Sequence, residues 1–208
     1  MSLTIHWQDV RGIERLSNSM GRLSGAQKQL VLQRAVNRTG DMARTKVVRA
    51  LAKQTGLQYG VIRKALKVKR AGGTFMSKGT GEITVGEGAS LSYEIRSSGG
   101  DISLKYFRAR ETRKGVTASP RGERQLFAGS FIMGGRFPNR KPAAGLNGHV
   151  YRRIGKGRGP LVLLNSGVVI PSEMVSGATA NVFMQSVEAD LPRRVVHEIG
   201  HLVPGIFD

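Results

Sequence analysis

Cysteine is absent from the chain. No disulfide framework and no thiolate chemistry can operate, and the redox compartment is left open. No run of about 18 apolar residues occurs, so no membrane-spanning helix is expected. Aromatics make up only 6% of the residues, which is thin for a platform on which nucleic-acid bases stack. Acids are scarce: 14 Asp and Glu stand against 33 Lys and Arg, for a net charge of +19. The isoelectric point is near 11.3. Such an imbalance points to a polyanion, an anionic surface or an acidic protein neighbour, and it says nothing of fold. Catalytic groupings are missing too. There is no Ser/His/Asp set and no pair of carboxylates in a shared apolar setting. The opening Met1-Ser-Leu-Thr-Ile-His-Trp7 lacks the basic-then-apolar order of a signal peptide, so the expectation is a protein used in a cytoplasm or in a particle assembled there.

What is present starts with a long amphipathic helix over residues 24–54. Ser24 followed by Gln27 is a capping-box pattern, in which each side chain satisfies an orphan backbone N–H. Leu32, Ala35, Val36, Thr39, Ala43, Val47, Ala50 and Leu51 recur at three- and four-residue steps and form one stripe. Gly56 stands where a helix ends in a left-handed residue. Gly40, in mid-pattern, costs about 1 kcal/mol against Ala and marks either close packing or a junction of two helices. Residues 9–20 and 61–66 read as short helices on the spacing of Val10, Ile13, Leu16 and Met20, then Val61, Ile62, Ala65 and Leu66. Residues 1–70 hold fifteen Lys and Arg against three acids.

From Ala71-Gly72-Gly73 the texture changes to short alternating runs. They are Ile83 with Val85; Leu91, Tyr93 and Ile95; then Ile102, Leu104 and Tyr106, with 97–100 as a hairpin loop between the last two. Residues 126–133 and 149–154 are further strand candidates, and 161–164 is a wholly apolar run of the kind a buried strand shows. The spacing predicts an antiparallel sheet. Residues 110–124 and 134–148 are rich in Gly, Pro, Arg and Lys and read as long basic loops, ordered chiefly by neighbours. Pro171 and Glu173 fit the first turn of a C-terminal helix whose stripe is Val175, Ala178, Val182 and Phe183. Pro192 is expected to kink or divide it. The fold class is therefore α+β. The long N-terminal and C-terminal helices pack on one face of a mostly antiparallel sheet built from residues 83–164, with long basic loops. The 208 residues suit one domain: a basic helical region over residues 1–70, a sheet region over 71–170 and a helical region over 171–208.

Three motifs suggest chemistry. His197-Glu198-Ile199-Gly200-His201 matches H-E-x-x-H, which sets two imidazoles one helical turn apart for zinc. A catalytic zinc wants a third protein ligand. The extended pattern places Phe207 where a His should stand, with Asp208 one position off. The plain reading is two histidines on a helix end, and no metal is expected. Ala52, Gly56 and Ile62 have the spacing of a helix-turn-helix corner, with Arg63, Lys64 and Lys67 facing a groove. This corner, residues 52–66, carries the alternative reading of a free DNA-binding protein. Gly155-Lys-Gly-Arg-Gly159 lacks the spacing of a phosphate-binding loop and reads as a basic turn.

The chain resembles the minor tail protein Z family of tailed bacteriophages. The likeness is carried by the 23 residues from Arg34-Ala-Val-Asn-Arg38 to Lys53-Gln-Thr-Gly56 and by Val61-Ile-Arg-Lys-Ala-Leu66. It continues through a strand ending near Phe107, Arg113-Lys-Gly115, Ala128-Gly-Ser-Phe-Ile132, Val150-Tyr-Arg-Arg153 and Ile170-Pro171. Leu164-Asn-Ser-Gly167 departs from the regular loop expected there, and the His197–His201 element is no hallmark of the family. The resemblance implies a structural virion protein, a minor tail or tail completion protein with no enzyme activity and no cofactor. It implies a homo-oligomeric ring, sixfold to match the tail tube, at the head-proximal end of the tail, assembled in the host cytoplasm. Its implied partners are further copies of itself, a tail terminator or tail tube protein, neck or connector proteins, and genomic DNA contacted without sequence readout; no membrane. The residues expected to face DNA or a partner are Arg108, Arg110, Arg113, Lys114, Arg152, Arg153, Lys156 and Arg158, and some of this surface is expected to line a DNA channel.

Overall fold

The computed structural model describes residues 1–5, 21, 23–76, 83–157 and 159–204. The short helix expected over 9–20 lies outside them. The long helix α1 spans Gly25–Thr55. Its capping box forms as the sequence predicts: the Gln27 N–H donates to Ser24 Oγ at 3.2 Å, and the Ser24 N–H to Gln27 Oε1 at 2.9 Å. Gly56 closes it in the left-handed region, at φ 76°. The buried stripe includes Leu32, Ala35, Val36, Thr39, Ala43, Val47 and Leu51. The helix runs unbroken through Gly40, where the ring of Tyr93 lies against the backbone: a Cβ there would meet Tyr93 Cγ at 2.3 Å. Of the two readings of Gly40, close packing is the one observed.

After Gly56 comes α2 (Tyr59–Ala65), which passes directly into β2 (Leu66–Lys69). With β1 (Ser2–Ile5) and β5 (Tyr93–Ser97) it forms a three-stranded antiparallel sheet, β5 in the centre. Leu3 and Val68 flank Ile95 in register. Leu66, Tyr93, Ile95 and Ser97 are buried, and β5 packs against α1. Because β1 and β2 occupy both edges of β5, the expected pairing of 93–95 with 102–106 is not made. Leu104–Tyr106 is instead a 3-10 turn, with Leu104 and Phe107 buried in the core.

The remaining strands form small antiparallel units. β3 (Gly72–Met76) pairs with β4 (Ile83–Ser90). β6 (Arg110–Thr112), β7 (Gly115–Ala118) and β8 (Gln125–Ala128) make a second three-stranded sheet. β9 (Ser130–Phe131), β10 (Tyr151–Arg153) and β11 (Leu161–Leu163) make a third. The class is α+β with antiparallel pairing, and the sheet is divided into four units. Residues 110–124 are not a loop. Val116 and Ala118 are fully buried, and that burial lets a Gly- and Arg-rich stretch hold a hairpin. Residues 134–148 are irregular as expected, closed by the reciprocal backbone bonds of Gly134 and Lys141, both 2.9 Å.

Pro171 lies in a short helix, α3 (Ile170–Met174), separate from α4 (Gly177–Leu202). The break at 175–176 shifts the register of the apolar face. The buried stripe is Thr179, Phe183, Ser186, Leu191, Val195 and Ile199; Val175 and Ala178, expected inside, are exposed. α4 continues through Pro192 without dividing. It packs along α1. Lys46 of α1 reaches Asp190 of α4 at 2.7 Å. Among the described residues no helix is long and apolar enough to cross a membrane.

Candidate interaction surfaces

Most of the predicted basic residues sit on two hairpins of the distal sheets. Arg113 and Lys114 are the two-residue turn between β6 and β7, because Thr112 pairs with Gly115. Arg110 opens β6, and Arg108 precedes it with φ 54°. All four are exposed. The two sheets meet at Gly129, between β8 and β9, where the Gly129 N–H donates to the Lys114 carbonyl at 3.1 Å. Buried Ser130 clamps this corner: its hydroxyl donates to the Phe127 carbonyl at 2.6 Å and accepts from the Val116 N–H at 3.1 Å.

Arg152 and Arg153 lie on β10, and Lys156 lies in the turn to β11. Arg158 lies outside the described residues. The base of the hairpin is anchored by Val150, fully buried, whose carbonyl accepts from the Leu164 N–H at 2.8 Å. Beyond that base both faces open. Arg153 stacks over the Phe131 ring at 5.2 Å and donates to the Gly157 carbonyl at 3.2 Å, while Arg152 is on the opposite face, across from Ser130 and Val162. The apolar run expected to be a buried strand is instead an exposed edge. Ile154, Leu161, Val162 and Leu163 are 67, 38, 41 and 41% exposed: successive β11 side chains point to opposite faces and all are open, so neither face is covered, and among the described residues β11 pairs with β10 on one edge only. Length and apolarity alone could not reveal that.

Between the start of β6 and the 132–140 segment is a cleft of about 450 Å³ lined by Lys105, Arg110, Glu111, Met133, Phe137 and Arg140, among others. Glu111 pairs with Arg140 and accepts from the Met133 N–H at 3.1 Å. The acid thus ties the 134–148 segment to β6 and does not neutralise the outer cations.

A second basic surface lies in the stretch that the sequence reads as a short helix and a helix-turn-helix corner. Arg63 and Lys64 on α2, Lys67 and Lys69 on β2, and Arg70 after it are all exposed. The signal that marks it is the Leu66/Val68 against Lys67/Lys69 alternation, which is a strand's and not a helix's. Alongside lies a cleft of about 390 Å³ between α1 and α2, lined by Asp41, Arg44, Thr45, Tyr59, Arg63 and Arg70, among others. Asp41 accepts from Arg70 Nη2 on both oxygens and from the Tyr93 hydroxyl, all at 2.9 Å. Burial, then the hydrogen bond and charge of Asp41, push the Tyr93 hydroxyl far above its ordinary range.

The other motifs resolve into structure. The 52–66 corner is a packed turn: a Cβ on Gly56 would meet Gly122 N at 2.6 Å and the Ser119 carbonyl at 2.7 Å. α2 has only seven residues and its Ile62 is buried, so it offers no recognition helix to a groove. His197 and His201 lie with ring centroids 6.4 Å apart, and Glu198 Oε1 is 3.0 Å from Arg194 and 3.9 Å from His197 Nδ1. Among the described residues no group of three or more metal-ligating side chains gathers anywhere.

No curated protein and no solved structure matches the chain. The family described as prophage minor tail protein Z matches it over residues 10–203, nearly the whole length. The chain belongs to the prophage minor tail protein Z family, and its place is in a phage tail.

Proposed function

We propose that this tail protein acts as a non-enzymatic assembly protein that forms a sixfold homo-oligomeric ring at the head-proximal end of the tail and joins tail to neck while the genome passes through. The observation that carries the reading is the β10–β11 hairpin. It exposes Ile154, Leu161, Val162 and Leu163 beside Arg152, Arg153 and Lys156. Isolated domains blunt such an apolar edge strand; one left open, rimmed by charge, is the chemistry of a protein-binding surface. The net charge of +19 opposes ring closure by like copies alone, so closure needs salt, DNA or an acidic tail partner.

The test is genetic complementation with Arg152, Arg153 and Lys156 changed to Ala and Leu161 and Leu163 to Ser. The reading expects a monomer that folds, by far-UV circular dichroism and thermal melting, yet leaves tails unjoined to heads. Fully infectious particles from this variant would remove the hairpin from the joining surface.

A further inference from the structure

The two basic surfaces differ in what accompanies their charge. On the β10–β11 hairpin the cations stand among exposed aliphatic side chains. On the α2–β2 strip the aliphatics point inward: Ile62 and Leu66 are buried, and Lys67 and Lys69 alternate outward. Five of the eight residues from Arg63 to Arg70 are cations and none is an acid. Among the described residues, Arg63, Lys64, Lys67 and Lys69 take part in no ion pair. The two carboxylates beside the strip are already engaged: Asp41 in the adjoining cleft by Arg70 and Tyr93, and Glu94, across from Lys69 on β5, by Arg96. Arg44 is held at the cleft wall by the carbonyls of Arg63 and Leu66, at 3.4 and 3.3 Å. A cationic strip whose aliphatics are turned inward, with Tyr59 at its head as the exposed aromatic, suits a polyanion and gives a polypeptide little to bury.

We propose that the α2–β2 strip is the surface that meets the phosphate backbone of duplex DNA, and that the hairpin meets protein. The proposal rests on the reading that the genome passes this protein. Lys67 and Lys69 are two strand residues apart, about 7 Å, and project on one face with Arg63 and Lys64 at the strip's head. The strip holds no Asn or Gln to read base edges, so the contact is to phosphates and independent of sequence.

The experiment is a salt series of fluorescence-anisotropy titrations, with full-length protein and a labelled duplex of mixed sequence. Wild type is compared with Arg63→Gln/Lys64→Gln/Lys67→Gln/Lys69→Gln and with Arg152→Gln/Arg153→Gln/Lys156→Gln. Each phosphate contact contributes about 0.9 to the slope of log K against log salt. The strip variant should lose about 3–4 of that slope, and the hairpin variant less than about 1. Circular dichroism checks folding, and the four single Gln variants, each expected to lose about 0.9, serve if the quadruple one unfolds. Absence of wild-type binding at low salt, equal losses in both variants, or a larger loss in the hairpin variant overturns the proposal. A strip variant that binds DNA normally but no longer joins tails would show that the strip faces protein; the assignment then fails while the tail role stands. If DNA binding follows the strip but virions lack the protein, the assignment holds and the tail role fails.

Discussion

At the scale of single residues, the junction of helix and sheet turns on Gly40 and Tyr93. The tyrosine ring occupies the space a side chain at residue 40 would need, and its hydroxyl ends on Asp41 at 2.9 Å. Gly40→Ala gains about 1 kcal/mol of helix propensity but overpacks a closed core, which costs about 1–3 kcal/mol. The urea midpoint of unfolding should fall. Tyr93 also sets a pH dependence. Its folded pKa is raised above the ordinary value of 10.0, first by burial and then by Asp41. Below that value both folded and unfolded chains keep the proton, and the stabilisation is complete. As pH rises past it, the unfolded chain releases the proton first and stability drops. Melting temperatures of wild type should therefore decline more steeply above about pH 10 than those of Tyr93→Phe.

At the scale of elements, α4 begins with a borrowed cap. Ser176, its N-cap, makes no side-chain capping bond. Gln54 of α1 supplies it: Gln54 Oε1 accepts from the Thr179 N–H at 3.2 Å and from the Thr179 hydroxyl at 2.8 Å, while Nε2 donates to Glu173 Oε2 at 2.7 Å. Gln54→Ala leaves these groups unpaired and should cost about 1–3 kcal/mol, with hydrogen exchange faster in the first turn of α4 than in its middle. Lys46→Ala leaves Asp190 without its cation. The pair is half-exposed, so it contributes at most about 1 kcal/mol. Lys46 first among its partners holds Asp190 below the ordinary 3.8; its contribution is present above that value and lost as pH falls through the folded pKa. Features that follow local rules were legible in the sequence: the Ser24–Gln27 box, the Gly56 stop and the α1 stripe. What depended on distant neighbours was not. β2 alternates over only four residues, and Leu66, its first, reads in the sequence as the end of the 61–66 helix. The run of apolar residues at 161–163 could not reveal that no strand among the described residues covers its outer edge. The charge in 110–124 hid Val116 and Ala118, whose burial comes from the rest of the core. The basic hairpin tips were found as residues, but which basic surface stands among apolar side chains became visible only once the strands were placed.

At the scale of the whole molecule, the two basic surfaces differ in the apolar exposure that accompanies their charge. The helices and the β1–β5–β2 sheet form much of the core, joined by Leu104, Phe107, Val116, Ala118 and Val150, and the α2–β2 strip shows charge with its aliphatics turned inward. The distal sheets carry the exposed apolar edge together with their cations. This division fits a protein that holds polypeptide on one side and DNA on another. The central claim, a tail protein that closes a ring through its β10–β11 hairpin, is tested most directly by an asymmetric cryo-electron-microscopy reconstruction of the head–tail joint of the virion. The account predicts density for this chain as a sixfold ring at the head-proximal end of the tail, with Leu161–Leu163 buried against a neighbouring protein. Density that placed the chain elsewhere in the particle, or that left Ile154 and Leu161–Leu163 facing solvent, would contradict it.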